Sequence, residues 1–100
     1  MPLKIASAAA AWYSFYMSYF AYILRCNDDT LYCGYTDDPA RRLAVHNSGR
    51  GAKYTRARLP VELVYTEEFE TKNEAMSREF RLKQLTRAQK EALVYGKSEG

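Results

Sequence analysis

Hydrophobic positions fall in short runs separated by polar turn signals, and each run has its own period. Tyr19 to Cys26 (YFAYILRC) is apolar on both parities, the pattern of a central, doubly buried strand. Asn27-Asp28-Asp29 is a turn signal, and Thr30 to Thr36 (TLYCGYT) reads as a second strand. Together they predict a hairpin with a three-residue loop. In that register Cys26 pairs with Thr30, Tyr32 lies opposite Leu24, and Tyr32 shares a sheet face with Tyr22. The third loop position favours a left-handed backbone, so Asp29 stands where glycine is preferred.

Asp38-Pro39 opens a helix, with Asp as N-cap and Pro in the first turn, and Ser48-Gly49 stops it. Ala40, Leu43, Ala44 and Asn47 form its expected inner stripe, with Arg42 and His46 stacked along one border. Gly49 to Arg58 (GRGAKYTRAR) reads as a flexible basic loop, and Pro60 to Thr66 (PVELVYT) as a third strand with weaker alternation. Thr71-x-x-Glu74 is a capping box that starts a second long helix, whose apolar stripe is expected at Ala75, Met76, Phe80 and Leu82. Thr86-x-x-Gln89 caps a further helix that runs to about Tyr95, before Gly96. The order hairpin, helix, strand, two helices defines a small α+β domain: a three-stranded sheet with about three flanking helices.

One hundred residues with 47% hydrophobic content accommodate one domain and no second. The expected division is an N-terminal extension at 1–16, helical or disordered, a domain at 17–96 and a tail at 97–100. Leu3 to Leu24 is nearly free of charge, but it runs into a core strand, which neither a removable leader nor a membrane span would supply. Cys26 and Cys33 form no C-x-x-C pair and suit small buried thiols in a cytoplasmic protein. The formal charge is only +3, yet its distribution is uneven. From Pro39 to Val61 there are six basic residues and no acidic one; from Glu62 to Glu79 there are six glutamates against Lys72 and Arg78. A basic block beside an acidic one suits a polyanion-holding surface with carboxylates nearby.

The chemistry-bearing residues are sparse: Tyr22, Tyr32-Cys33-Gly34, Arg42, His46 and Glu79. These types together suit phosphodiester hydrolysis. A carboxylate holds a divalent cation, a guanidinium neutralises a pentavalent phosphate, and phenols or an imidazole move protons. Each has a plainer reading as well. Glu79 falls inside an apolar stripe, where it is either a metal ligand or an ion-pair partner of Lys83 or Arg78. Tyr22 and Tyr32 are also ordinary strand aromatics, and Arg42 and His46 ordinary surface residues. Gly34 marks either a close approach or a bulge. G-x-S-x-G and Walker motifs are missing, which disfavours acyl transfer and nucleotide hydrolysis.

In this order and spacing, over about Met17 to Tyr95, the residues resemble the GIY-YIG nuclease superfamily. LYCGYTDDPARRLAVHNSGRGAKYTR and PVELVYTEEF are especially similar to its small stand-alone bacterial members, relatives of the catalytic domain of excinuclease C. The resemblance implies an antiparallel sheet and cleavage of DNA, in repair or processing, with one divalent cation, Mg²⁺ or Mn²⁺. It makes Glu79 the metal ligand and Arg42 the phosphate ligand. Tyr22 becomes a general base or water-orienting group, Tyr32 its assistant, and His46 fills a place where the family uses His or Tyr. Phe20-Ala21-Tyr22 keeps only the tyrosine of the first family tripeptide, and Cys33 replaces an aliphatic residue of the second. A phenol with a pKa near 10 is a weak base, so either Arg42 and the metal lower Tyr22 or it only places a water. Arg50, Lys53, Tyr54, Arg56 and Arg58 are expected to grip DNA phosphates without reading bases. No membrane or small-molecule cofactor is expected. The alternative class is a nucleic-acid-binding module that keeps the scaffold without turnover.

Overall fold

The structure, a computed structural model, describes residues 18–96. The expectations for 1–16 and 97–100 lie outside the described residues. Strand β1 (Tyr19–Arg25) and strand β2 (Leu31–Thr36) form the hairpin. Leu24 pairs with Tyr32 and Tyr22 with Gly34, the Cys26 N–H donates to the Thr30 carbonyl, and Asp29 takes φ 71°. The three-residue loop therefore places Tyr22 and Tyr32 on one face. Asp28 secures the turn by accepting from the Thr30 amide and hydroxyl.

Helix α1 (Pro39–Asn47) begins where the Asp38 carboxylate accepts the Arg41 N–H. A single helical turn, α2 (Lys53–Arg56), precedes strand β3 (Glu62–Phe69). Helices α3 (Lys72–Gln84) and α4 (Arg87–Tyr95) each start with a complete capping box, and α4 ends at Gly96 in the left-handed conformation. The sheet is antiparallel in the order β2-β1-β3, so β1 is central and β2 is an edge.

The two faces of β1 seed two cores. Ala21, Ile23 and Cys33 pack with Leu82 of α3, and Leu93 and Val94 of α4 close that side. Tyr22, Leu24 and Cys26 pack with Val61, Leu43 of α1 and Leu63. A bulge opposite Ile23–Leu24 inserts Val64 into β3. Val64 and Tyr65 therefore join the α3 side while Leu63 joins the other. That bulge is the cause of the weak alternation in the sequence.

Four expectations are corrected. The basic stretch Gly49–Arg58 contains the α2 turn. The third strand runs to Phe69, beyond Thr66. On α1, Ala40 and Ala44 are exposed, and the inner positions are Leu43 and the buried His46. Asn47 is exposed as well, although its side chain exchanges two hydrogen bonds with the Val61 backbone at 3.0 and 2.8 Å. On α3, Met76 and Phe80 are exposed, Phe80 by 63%, while Ala75 and Leu82 are buried. The stripe is narrow because the edge beside it carries Glu79 toward β2.

Leu82→Ala should cost about 2–5 kcal/mol in urea unfolding, and Phe80→Ala within about 0.5 kcal/mol of zero. Equal losses would mean that α3 docks through a different face.

Candidate active site

Gly34 decides where Tyr22 ends. A Cβ at Gly34 would lie 2.6 Å from both Cζ and Oη of Tyr22. Without it, the ring of the central-strand tyrosine lies across β2 and delivers its hydroxyl to the sheet edge. There a cleft of about 570 Å³ opens. Its lining comes from the hairpin (Tyr22, Tyr32, Gly34, Tyr35), from α1 (Arg41, Arg42) and from α3 (Lys72, Glu79). The edge strand is where helices covering opposite faces of the sheet come within reach of one ligand.

Of the residues singled out in the sequence, Tyr22, Tyr32, Arg42 and Glu79 meet around this cleft. His46 does not line it. It lies behind Tyr22 with no exposed surface, Nε2 2.9 Å from the Tyr22 hydroxyl and Nδ1 2.8 Å from Thr55 Oγ1. Gly51 closes over the ring, since a Cβ there would fall 2.5 Å from His46 Nδ1. Thr55 is a site residue that the sequence does not reveal. It is also fully buried, and its hydroxyl donates to the Ala52 carbonyl at 2.9 Å. The one available signal is that a buried imidazole requires a partner for each nitrogen, and it speaks only once the ring is known to be buried.

The charges around the cleft differ in how they are committed. Arg41 is held by Asp37 and Asp38, Arg58 by Asp28 and Arg78 by Glu67. Arg42 has no carboxylate partner among the described residues, and neither do Arg50, Lys53 and Arg56. Arg58 is occupied further: it donates to the Tyr54 carbonyl and its guanidinium lies 3.8 Å from the Tyr54 ring centre. Tyr54 stacks in turn beside Tyr32 at 6.0 Å, and Tyr32 meets His46 edge-on at 5.3 Å. The α2 turn is thus tied into the site by rings as well as by Thr55.

Burial pushes the Tyr22 phenol up to about 12, and the neighbouring Arg42 guanidinium only partly offsets it. Arg42 does lower this phenol, but desolvation outweighs the guanidinium acting alone. Tyr32 is also raised by burial, against the positive charges of Lys83 and Arg42. Burial, reinforced by Arg42, lowers His46. Tyr22 is therefore a neutral phenol beside a neutral imidazole at pH 7.

Glu79 is 17% exposed in its side chain and forms an ion pair with Lys83, Nζ to Oε2 2.7 Å. That hydrogen bond is the main reason Lys83 is raised. Among the described residues no group of three His, Cys, Asp or Glu is arranged to cage a metal. Two carboxylates line the cleft, Asp37 paired with Arg41 and Glu79 paired with Lys83. So few donors beside space for water and a phosphate fit a hard cation of the Mg²⁺ type, which keeps its waters and shares the substrate's oxygens. They do not fit a cation held by protein alone.

The chain as a whole has known relatives. The GIY-YIG catalytic domain matches residues 18–92, and the chain belongs to that family. The UPF0213 protein of Bacillus velezensis is 60% identical over 77 residues, covering 77% of this chain and 78% of the relative. That of Halobacterium salinarum is 62% identical over 72 residues, 72% and 94% of the two chains. The solution NMR structure of the UPF0213 protein from Bacillus halodurans is similar at a TM-score of 0.52 and 51% identity, covering 81% of this chain and 86% of that one. A second NMR structure, of an E. faecalis protein, gives 0.53 at 45% identity, covering 83% and 92%. Among the described residues no helix is long and apolar enough to cross a membrane.

His46 has its proton affinity lowered by folding, so the folded chain binds that proton less tightly than the unfolded one. Its contribution to stability is complete above the ordinary imidazole pKa and is lost as pH falls below that value. Urea midpoints should fall between about pH 7.5 and about pH 5.5, straddling the ordinary value of ~6.5. His46→Gln should flatten that slope; an undiminished slope in the variant would contradict a buried neutral ring.

Proposed function

We propose that the chain is a metal-dependent endonuclease that hydrolyses phosphodiesters of DNA, in repair or processing. The observation that carries this reading is the cleft itself. At one edge strand the Tyr22 and Tyr32 phenols and the Glu79 carboxylate converge with Arg42, which has no counter-carboxylate among the described residues. Such a guanidinium beside a pocket is suited to a phosphate, with its planar donors aimed at two oxygens. Arg50, Lys53 and Arg56 extend the positive surface along α2 and the loop before it. They hold the DNA backbone through salt-sensitive contacts, with Tyr54 and Arg58 bracing the turn that carries them.

Within this reading Arg42 binds the scissile phosphate and stabilises the charge that develops on it. Glu79, released from Lys83, would hold the divalent cation, Mg²⁺ or Mn²⁺. When bound, that cation supplies Lewis-acid stabilisation and a more acidic water. Tyr22 is too weakly acidic to rest as a phenolate. It accepts the proton of the attacking water at Oη while its own proton passes to His46 Nε2, 2.9 Å away. The imidazole leaves the step doubly protonated, and the phenol is regenerated neutral. Tyr32 packs against His46 and Tyr54, holding the ring string in place and lining the floor beside the phosphate.

Nicking of supercoiled plasmid with Mg²⁺ or Mn²⁺ tests the reading. Arg42→Ala should slow it by about 10²–10³-fold, the usual cost of losing a transition-state donor. Glu79→Ala should abolish it. Activity that survives in both variants would sink the assignment, and steeply salt-dependent DNA binding by an inactive wild type would favour the binding-module alternative.

A further inference from the structure

We propose that Thr55 is a positioning residue: by accepting the Nδ1 proton of His46 it holds the imidazole as the tautomer whose Nε2 is free to receive the Tyr22 proton. One string of buried atoms carries the inference. Thr55 Oγ1 is 2.9 Å from the Ala52 carbonyl oxygen and 2.8 Å from His46 Nδ1. A carbonyl oxygen only accepts, and a hydroxyl has a single proton. With that proton on Ala52, the Thr55 oxygen meets Nδ1 as an acceptor, and Nδ1 carries hydrogen.

The other end of the string selects the same direction. Tyr22 Oη sits 2.9 Å from Nε2 and beside the Arg42 guanidinium, which only donates. If Nε2 carried the hydrogen, the Tyr22 proton would have to face Arg42, donor against donor. With Nε2 bare, Tyr22 donates to it and turns its lone pairs toward Arg42 and the cleft. An acceptor-only group at one end and a donor-only group at the other thus polarise the whole string, from Tyr22 through His46 and Thr55 to Ala52. At rest a ring protonated at both nitrogens would keep the Thr55 bond but meet the Tyr22 proton donor against donor, and burial and the Arg42 charge both oppose it.

Two structural features show that the ring is clamped. Gly51 leaves no room for a side chain against Nδ1, and Thr55 and His46 have no exposed surface. A neutral imidazole in water favours Nε2–H modestly, so the protein must select the other tautomer. The α2 turn then orients the group that receives the proton, and is not only a phosphate-gripping element. The use of this tautomer in catalysis rests on the nuclease reading; the tautomer itself does not.

His46 is the single histidine of the chain, so its ring nitrogens are read without ambiguity by long-range ¹⁵N–¹H NMR of uniformly labelled protein, with no DNA or metal added. At neutral pH the wild type should show a protonated Nδ1 and a bare Nε2. Thr55→Val, which keeps the volume and removes the hydroxyl, should lose that pattern. Thr55→Ser should restore it. In the plasmid assay Thr55→Val should lower the nicking rate on the order of 10–100-fold, the usual effect of losing an orienting partner, with DNA affinity unchanged. Should Thr55→Val fail to fold, the wild-type and Thr55→Ser spectra decide alone. A wild-type ring with hydrogen on Nε2, or a Thr55→Val ring identical to the wild type, would overturn the proposal. The expected tautomer in a protein that does not nick DNA would remove the nuclease reading and leave the role of Thr55 in setting the tautomer standing.

Discussion

A histidine with no solvent contact requires a partner for each of its two nitrogens, and that requirement organises this molecule. An unsatisfied buried imidazole nitrogen would cost about 1–3 kcal/mol, so the fold around His46 must supply an acceptor on one side and a donor on the other. Thr55 and Tyr22 do so from two different elements. α1 brings the ring, α2 brings the threonine, and the central strand brings the phenol. Because the three meet at one ring, the positions of α1 and α2 over the sheet are coupled to the position of the Tyr22 hydroxyl. The cleft inherits its geometry from this buried contact.

The same constraint explains the placement of the charges. Tyr22 can reach the edge of the sheet only because Gly34 offers no side chain beneath its ring. At that edge the guanidinium of Arg42 stands one helical turn ahead of His46, lining the cleft while its neighbour is buried. Glu79 arrives from the opposite face of the sheet on α3. There Lys83 neutralises it, so a divalent cation has to compete with an ammonium 2.7 Å away. Both readings of Glu79 that the sequence left open therefore have a geometric basis: the ion pair exists, and the carboxylate lines the cleft.

Features carried by local chemistry were legible in the sequence. The loop Asn27-Asp28-Asp29 has the length and the left-handed third residue that put Tyr22 and Tyr32 on one face. Thr71-x-x-Glu74 and Thr86-x-x-Gln89 start their helices as capping boxes should. Features set by packing were not. Polarity is misleading on α1, where exposed alanines look like the inner face and His46 like the rim. It misleads on α3 as well, where Phe80 is left outside so that Glu79 can turn to β2. The bulge at Val64 scrambles the two-residue period of β3, and a four-residue turn of helix is too short to show periodicity at all. Thr55 is hidden for the same reason: its role exists only once His46 is known to be buried.

The coupling between Tyr22 and His46 is the direct measure of whether the buried string organises the cleft. A double-mutant cycle with Tyr22→Phe and His46→Gln, read by urea unfolding at neutral pH, isolates it. The account predicts an interaction of about 0.5–3 kcal/mol, as for groups joined in one buried network. Losses that simply add, to within about 0.3–0.5 kcal/mol, would contradict it and leave the two side chains as independent neighbours.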